Sequence, residues 1–304
     1  MQTVPATEVI DPRTEQLDSW PPEAILATLW EGQMAAVAAT RPALPAIAAA
    51  ANAAAVLLAT GGRLVYAGAG TSGRIGVQDG AELPPTFDWP QDRLVLLMAG
   101  GEQAFTRSVE NAEDDTEAAV AAIARHGIGA GDVVLGIAAS GSTPFTTAAL
   151  SAAAARGALT IGIANSPGGG LLAACSHRIL AETGPEAIAG STRMKAGTAQ
   201  KVVLNLFSTL LMVQLGRVHR GLMVDMLARN DKLRRRAERM LAHLTGAPPD
   251  AIRAALGEAG GSVKRAVLVL QGLSAADAQA LLDANANNLR LALAQLHATR
   301  ETRP

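Results

Sequence analysis

The stretch GAGTSGR, residues 68–74, has the spacing Gly-x-Gly-x-x-Gly through Gly68, Gly70 and Gly73. It follows the apolar run RLVYA (63–67), whose composition is typical of a strand buried on both faces. Glycines directly after such a strand let backbone N–H groups approach a phosphate at the start of the next helix. The stretch therefore predicts a strand, a phosphate-binding turn and a helix, and leaves the kind of phosphate compound open.

Four further apolar runs resemble the one before the glycines. They are RLVLLMA (93–99), DVVLGIA (132–138), ALTIGIA (158–164) and, more weakly, residues 178–181. Helix-like stretches lie between them at 116–125 and 146–156. The alternation of strand and helix predicts an α/β fold with a five-stranded parallel sheet flanked by helices.

In parallel sheets of this kind, ligands bind at the carboxyl ends of the strands. The segments that follow the five predicted strands are GAGTSGR, AGGEQAF, ASGSTP, ANSPGGG and AETGPEAIAGSTRMKAG. All are rich in Gly, Ser or Thr, and the last also supplies Arg193 and Lys195. Five such segments at one edge predict a polar ligand site lined by small residues.

The C-terminal third of the chain is predicted to be helical. KVVLNLFSTLLMV (201–213) favours a buried helix, and 222–241 favours a long amphipathic one. TGAPP (245–249) interrupts the pattern, and Gly260 and Gly272 divide the remainder into short helices. The predicted parts are an N-terminal helical arm at 1–45, the ligand-binding α/β domain at 46–243 and a small C-terminal helical bundle at 244–304.

Composition and charge argue against several classes of protein. Of the 304 residues, 49% are hydrophobic and 17% charged, which supports a large core. The net charge of −1 gives no support to nucleic-acid binding, and KLRRRAER at 232–239 is interpreted as a solvated helix face rather than a polyanion site. The single cysteine, Cys175, suits a reducing cytosol and is expected to pack in the core. The five histidines have no ligand spacing, so no metal site is expected.

The first half of the chain bears on cellular location. The N-terminal MQTVPATEVIDPRTEQLD is polar and acidic, unlike a signal peptide. Residues 42–60 have nearly the length of a membrane span, but they are mostly alanine with prolines at 42 and 45. This composition favours a helix packed closely against a neighbour. A soluble, cytoplasmic protein with no membrane partner is expected.

Two well-known phosphate sites fit the glycines poorly. A dinucleotide site requires a helix after the glycines and an acidic residue at the end of the second strand. Pro84 and Pro85 are expected to stop that helix early, and the second strand ends in Ala-Gly-Gly, with Glu102 only beyond it. A P-loop requires Gly-Lys-Ser/Thr, whereas Arg74 follows Gly73.

A phosphate monoester fits better, because serine and threonine hydroxyls donate to phosphate oxygens at a helix N-terminus. Thr71 and Ser72 follow the first strand, and Ser140, Ser142 and Thr143 follow the third. Helix N-capping would explain either group alone. The two groups together favour a ligand.

These motifs resemble the sugar isomerase (SIS) domain and, more narrowly, the N-acetylmuramic acid 6-phosphate etherases. The resemblance covers nearly the whole chain, through TEVIDPRTEQLD (7–18), GAGTSGRIGVQDGAELPPTF (68–87), GGEQAFTRSVENAEDD (100–115), GIAASGSTP (136–144), GPEAIAGSTRMKAGTAQK (184–201) and GLMVDMLARNDKL (221–233). Asp11 stands where the family usually has Asn, and Leu83 where it usually has Cys. Neither departure removes a group that the chemistry needs.

The resemblance implies cleavage of a lactyl ether at C3 of the phosphosugar, giving N-acetylglucosamine 6-phosphate and D-lactate in the recycling of cell-wall amino sugars. In the open-chain sugar, C3 lies β to the aldehyde. Removal of the C2 proton then lets lactate leave, and water adds across the double bond. This chemistry needs a base at C2, an acid for the ether oxygen and no redox cofactor.

By resemblance, the essential glutamates are Glu82 and Glu113; which is the acid and which the base is left open. Taken alone, Glu82 precedes a rigid double proline that would hold it near the ligand edge, whereas the residues around Glu113 favour a solvated acid at a helix start. Glu186 is a third candidate, for a sugar hydroxyl or ring opening, and Lys195 could neutralise an anionic group or form a surface pair. The predicted substrate-binding set is Gly70, Thr71, Ser72, Ser140, Ser142, Thr143, Glu186, Ser191 and Lys195.

Two other functions are compatible with the same fold. A non-catalytic phosphosugar-sensing regulator would not need both Glu82 and Glu113, and an aldose–ketose phosphosugar isomerase would share the removal of the C2 proton. SIS domains commonly pair, so a homodimer with sites near the interface is expected. The alanine-rich helix at 46–59 would permit close approach of two helices.

Overall fold

Five parallel strands form the central sheet, in the order β2-β1-β3-β4-β5. The computed structural model describes residues 4–226 and 231–301. The strands are β1 Leu64–Gly68, β2 Leu94–Met98, β3 Val133–Ala138, β4 Leu159–Ala164 and β5 His177–Leu180. Each agrees with a predicted apolar run to within one residue, which confirms the predicted α/β sheet.

The order of the strands places a switch point between β1 and β3. The chain passes from β1 to β2 on one side of β1 and then returns to β3 on the other side. Gly68 of β1 therefore lies between Met98 of β2 and Ile137 of β3. The connections after β1 and β3 therefore leave the same edge in opposite directions. Ligands of open α/β sheets bind in the crevice that this divergence creates.

Helices pack on both faces of the sheet. The helices of this part of the chain are α1 Pro22–Ala38, which contacts α7 through Gln33, α2 Leu44–Ala59, α3 Gly70–Phe87, α4 Thr116–Arg125, α5 Pro144–Ala155, α6 Gly170–Ala173 and α7 Lys195–Gln214. Val65, Val95 and Val134 point to one face and form a core with buried residues of α4, α5 and α6. Tyr66 and Ile137 point to the other face, where α3 packs on them through its glycines.

The glycines of α3 allow an unusually close contact between this helix and the sheet. A Cβ on Gly73 would lie 2.7 Å from the Gly68 carbonyl oxygen and would clash with the sulfur of Met98. Gly76 and Gly80 approach Ile137 and Tyr66 in the same way. Gly70 has φ +54°, a conformation that glycine adopts without strain. The spacing in GAGTSGR is therefore explained by packing as well as by a ligand.

The expectation that Pro84 and Pro85 stop α3 early is wrong. The helix has 18 residues and contains both prolines. Each proline removes one backbone N–H donor, and both lie in the last turn, where the Pro84 carbonyl still accepts from Asp88 N at 2.9 Å. The helix that a dinucleotide site requires is thus present, and the missing acidic residue after β2 remains the argument against that site.

The chain divides into two compact units, Met1–Glu82 with Gln91–Leu211 and Leu83–Pro90 with Met212–Pro304. The second contains the hairpin β6 Val218–His219 and β7 Leu222–Met223 and the helices α8 Asp231–Thr245, α9 Pro249–Glu258, α10 Val263–Leu270, α11 Ala275–Ala284 and α12 Leu289–Glu301. These helices bury a core of their own, as a C-terminal helical bundle should. The predicted three-part division at 45 and 243 stays a prediction.

The predicted long helix over 222–241 is wrong. Gly221, at φ +76°, turns the chain so that β7 pairs with β6, and Val224 N donates to Arg217 O at 3.1 Å. Helix α8 begins only at Asp231. Residues 227–230, which are part of the family-like segment 221–233, lie outside the described residues.

Two helical stretches of the described residues, 22–59 and 195–214, could cross a membrane by length and composition alone. More than half of the apolar part of 195–214 is buried, as in the core helix of a soluble protein. The alanine-rich α2 buries Ala50 and Ala54 completely within its own chain. Close packing of this helix, predicted from its composition, therefore occurs within one protomer.

Candidate active site

The N-termini of two helices lie at the switch point. Helix α3 begins at Gly70, two residues after β1 ends, and α5 begins at Pro144, shortly after β3. Because β1 and β3 are neighbours, both first turns lie at the same edge of the sheet. Their free N–H groups and positive dipole ends favour an anion there.

The serine-rich loop before α5 carries hydroxyls that the helix does not use. Thr143 occupies the N-cap position of α5, but its side chain makes no capping hydrogen bond. The backbone N–H and hydroxyl of Ser142 both donate to Oγ of Ser140, at 3.2 and 3.0 Å. The capping alternative therefore does not account for Thr143, and the loop is shaped by its own serines.

The segment after β4, ANSPGGG, supports this loop. Leu171 N donates to Gly141 O at 2.9 Å, and Asn165 N donates to Ala139 O at 3.0 Å. A Cβ on Gly169 would collide with the Gly141 carbonyl group. In the structure this segment holds the serine loop in place through backbone contacts.

The start of α7 lies beside the first turn of α3. A Cβ on Gly197 would be 3.6 Å from the methyl group of Thr71. Thr71 is partly exposed and Ser72 is buried. This contact places the start of α7 beside α3, and the predicted contact of Ser191 with the substrate stays a prediction.

Glu186 is a helix cap in this structure. Its Oε2 accepts from Lys195 N at 2.9 Å and its Oε1 from Ala196 N at 3.0 Å. The residue is 1% exposed, and a carboxylate at a helix N-terminus is stabilised by the dipole. Both oxygens of Glu186 are thus occupied by α7, and its predicted contact with the sugar stays a prediction.

The ammonium group of Lys195 is hydrogen-bonded to the chain's own backbone. Its Nζ donates to Pro185 O at 2.7 Å, and it lines a cavity of about 340 Å³ with Glu31, Asp11 and Arg13. Hydrogen bonds from Arg13 lower the pKa of Asp11 to about 2. Asp11, which stands where the family usually has Asn, forms an ion pair with Arg13, with 2.7 Å between Arg13 Nη2 and Asp11 Oδ2.

Glu113 lines a cavity at the ligand edge. It lies in the 3-10 helix Ala112–Asp114, and the cavity, of about 220 Å³, is also lined by Gly70 and Ser108. Helix α4 is capped by Asp115, whose Oδ1 accepts from Ala118 N at 2.8 Å. Glu113 is itself exposed and lies in the first turn of the 3-10 helix, so its interpretation as a solvated acid at a helix start stays open beside its predicted catalytic role.

Arg74 and Ser108 were not predicted as site residues, although both line this cavity. Arg74 Nε donates to Ala104 O at 2.9 Å, and its Nη2 donates to Arg107 O at 3.0 Å. The arginine thereby fixes the segment after β2 to α3. Both residues lie within the family-like segments, which was the only signal for them in the sequence.

Glu82 lies far from this cavity within one chain. It is exposed on α3, twelve residues after Gly70 (82 − 70). An α-helix rises 1.5 Å per residue, so the two positions are about 18 Å apart along the axis. The structure brings Glu113 next to Gly70 and does not bring Glu82 there.

Among the described residues, no group of three or more His, Cys, Asp and Glu side chains could hold a metal ion. Cys175 packs in the core as expected, and its sulfur donates to His177 O at 3.1 Å. Burial raises the pKa of the Cys175 thiol, which disfavours a reactive thiolate.

Comparison with known protein families agrees with the observed α/β sheet. The family described as "SIS domain" matches residues 115–210, and "Glucokinase regulatory protein N-terminal SIS domain" matches residues 46–154. The fold and the site thus define an SIS-domain protein. The phosphoheptose isomerase of Francisella tularensis is a similar solved structure, with TM-score 0.46 and 19% identity over 64% of this chain and 98% of that chain.

Similarity to individual curated proteins identifies the family to which the chain belongs among SIS-domain proteins. The chain is 50% identical over 290 residues to the N-acetylmuramic acid 6-phosphate etherase of Deinococcus radiodurans, covering 95% of both chains. It is 47% identical to that of Streptomyces avermitilis, covering 95% of this chain and 93% of the relative. The chain belongs to the N-acetylmuramic acid 6-phosphate etherase family.

Proposed function

We propose that this protein is a cytoplasmic carbon–oxygen lyase that cleaves the D-lactyl ether of N-acetylmuramic acid 6-phosphate, in the recycling of cell-wall amino sugars. The products are N-acetylglucosamine 6-phosphate and D-lactate. The observation that carries the proposal is Glu113 in a cavity beside Gly70, at an edge with two helix N-termini, in a chain 50% identical to an etherase.

The phosphate group binds at the switch point. The first turns of α3 and α5 supply backbone N–H groups there, and Ser142 and Thr143 add hydroxyls that no helix cap consumes. Such donors match the three oxygens of a phosphate monoester. Thr71, Ser72 and Ser140 extend the same polar surface.

The reaction is an elimination followed by an addition. A carboxylate removes the proton at C2 of the open-chain aldehyde, and the bond between C3 and the ether oxygen breaks as a carboxylic acid protonates the leaving lactate. Water then adds its oxygen to C3 while a proton returns to C2. Two carboxyl groups suffice for these proton transfers, each of which is worth roughly 10²–10⁴-fold.

Two copies of the chain complete one site. Glu82 sits about 18 Å along α3 from Gly70, whereas Glu113 shares a cavity with Gly70. A single chain therefore does not join the two glutamates, but a homodimer can do so if Glu82 of one copy reaches the cavity of the other. SIS domains commonly pair, which agrees with this arrangement.

Helix α1 offers the apolar surface for such pairing. Leu26, Trp30, Met34 and Val37 lie on one face of the helix and are 45–66% exposed. In α2, predicted earlier for this role, Ala50, Ala51 and Ala54 are buried within the chain, whereas Ala49 is exposed. A second copy covering α1 would remove this apolar stripe from water.

An assay for D-lactate separates the proposed function from its alternatives. The etherase releases D-lactate from N-acetylmuramic acid 6-phosphate in proportion to the sugar consumed. A phosphosugar-sensing regulator would bind the compound and release nothing. An aldose–ketose isomerase would interconvert sugar phosphates without lactate, so absence of lactate contradicts the proposal.

A further inference from the structure

A groove runs along the outer edge of the sheet. Strand β2 is the outermost strand, and among the described residues it pairs with β1 alone. Leu97 of β2 belongs to the core beneath α4, whereas Leu96 points to the other face, where a Cβ on Gly80 of α3 would lie 2.8 Å from it. Both leucines nevertheless line one cavity, of about 650 Å³. This cavity, the edge groove, therefore follows the edge of β2 rather than one face of the sheet.

Helix α4 forms the opposite wall of the edge groove. Asp115, the N-cap of this helix, and Arg125, its last residue, both line the groove. They are ten residues apart (125 − 115), which corresponds to about 15 Å at 1.5 Å per residue. Between them the wall consists of the exposed, short side chains of Ala118 and Ala121. An extended chain of about four residues, at roughly 3.3 Å per residue, matches this length.

The edge groove adjoins the cavity that contains Glu113. Met98 and the segment 109–112 line both of them. The cavity beside Glu113, of about 220 Å³, is smaller than most small-molecule sites, which span about 300–1,000 Å³. A sugar phosphate held beside Glu113 and Gly70 can therefore extend one substituent past the segment 109–112 into the edge groove.

The lactyl carboxyl group is the part of the proposed substrate that can carry such an extension, because an amino group joins it as an amide. A peptide attached in this way is an extended chain, and extended peptides bind sheet edges through main-chain hydrogen bonds. Glu110 lines both cavities, whereas Arg125 lies at the far end of the edge groove. A peptide linked through its N-terminus would place a neutral amide near Glu110 and its own C-terminal carboxylate toward Arg125.

We propose that the edge groove binds a peptide carried on the lactyl carboxyl group, so that the protein also cleaves N-acetylmuramoyl-peptide 6-phosphates. This inference rests on the proposed etherase function and extends its substrate class. The proton at C2 is removed, the bond between C3 and the ether oxygen breaks, and the leaving oxygen takes up a proton. Water then adds its oxygen to C3 as a proton returns to C2. The products are N-acetylglucosamine 6-phosphate and a D-lactyl-peptide.

The test compares three substrates by mass spectrometry of the released products. They are N-acetylmuramic acid 6-phosphate, its lactyl methylamide and its conjugate with L-alanyl-L-alanine, joined through the lactyl carboxyl group. The methylamide has the neutral amide without the peptide. Wild type should release D-lactate from the first compound and the D-lactyl-dipeptide from the conjugate, with kcat/KM for the conjugate at least equal to that for the methylamide.

Ala121→Met should lower kcat/KM for the conjugate about tenfold, the size of one or two lost main-chain hydrogen bonds, because the longer side chain occupies the groove. It should leave the other two substrates unchanged. Ala124→Met is the matched control, since Ala124 is exposed on the same helix and does not line the groove.

Release of D-lactate without release of the D-lactyl-dipeptide by wild type would overturn the inference and leave the proposed function standing. Equal effects of Ala121→Met and Ala124→Met on the conjugate would also overturn the inference alone. A wild-type chain that cleaves none of the three substrates would contradict the proposed function, and this inference with it.

Discussion

Arg63 and Asp132 connect the amino ends of β1 and β3. Arg63 Nη2 lies 2.7 Å from Asp132 Oδ2, and its backbone N donates to Oδ1 at 3.0 Å. Burial raises the pKa of Asp132, but hydrogen bonds from Arg63 and Gly129 outweigh it and hold the pKa below its ordinary value. The carboxylate therefore stabilises the folded chain at neutral pH.

Asp132→Asn should lower the free energy of unfolding by about 1–3 kcal/mol near pH 7, the cost of leaving the partly buried Arg63 without its partner. Because the folded-state pKa is depressed, the stabilisation is present above the ordinary value and is lost as pH falls through the folded value. Urea denaturation near neutral and at acid pH measures this. A difference between variant and wild type that does not shrink in acid would contradict the assignment.

Ser142→Ala should raise KM about 5–30-fold, equivalent to 1–2 kcal/mol for a lost hydrogen bond to a charged group, and should leave the fold intact. Ser72→Ala tests the α3 side of the phosphate site in the same way. Ser151→Ala is the control, because Ser151 is exposed on the same helix, α5. A wild-type KM in both Ser142→Ala and Ser72→Ala would contradict the placement of the phosphate site at this edge of the sheet.

At the scale of elements, the sheet was predictable because strands buried on both faces leave uninterrupted apolar runs. The errors arose where tertiary structure overrides local signals. Pro84 and Pro85 carry a strong stop signal, yet α3 tolerates them in its last turn. The stretch 222–241 has a helical pattern of apolar residues, but the turn at Gly221 pairs its first two residues with β6 as the strand β7.

The site was predictable in its segments and less so in its geometry. Gly70 and Glu113 line one cavity, and both follow strands whose carboxyl ends share an edge, but their roles in binding and catalysis stay predictions. The role of Glu186 as a cap depends on α7 beginning nine residues later, which no local pattern reveals. The separation of Glu82 from Glu113 follows from the full length of α3, which the prolines concealed.

Gly73→Ala should destabilise the contact between α3 and the sheet, because the added Cβ meets the backbone of Gly68 at 2.7 Å. We expect a loss of at least about 2 kcal/mol, typical of strain in a packed core. Gly257→Ala is the control, since its Cβ would meet nothing within 4 Å in α9 and should stabilise by about 0.5–1 kcal/mol. Equal melting temperatures for the two variants would contradict the packing account.

At the scale of the whole molecule, the proposed dimer makes a prediction about mixed variants. Glu82→Gln and Glu113→Gln should each be inactive alone. Co-expressed, they should form mixed dimers in which one of two sites has both glutamates, restoring about a quarter of wild-type lactate release for random pairing. Light scattering should report a dimer. No recovery in dimers shown to be mixed would place both glutamates in one chain.

The central claim is that the bond between sugar C3 and the ether oxygen breaks by elimination, with Glu82 carrying a proton. The direct measurement is turnover of N-acetylmuramic acid 6-phosphate in H₂¹⁸O and in D₂O, followed by mass spectrometry of both products. The account predicts ¹⁸O at C3 of N-acetylglucosamine 6-phosphate, deuterium at C2 and unlabelled lactate. Glu82→Gln should bind substrate and lose nearly all turnover, because the amide cannot carry the proton. Isotope label in the lactate hydroxyl, or full activity of Glu82→Gln, would contradict the account.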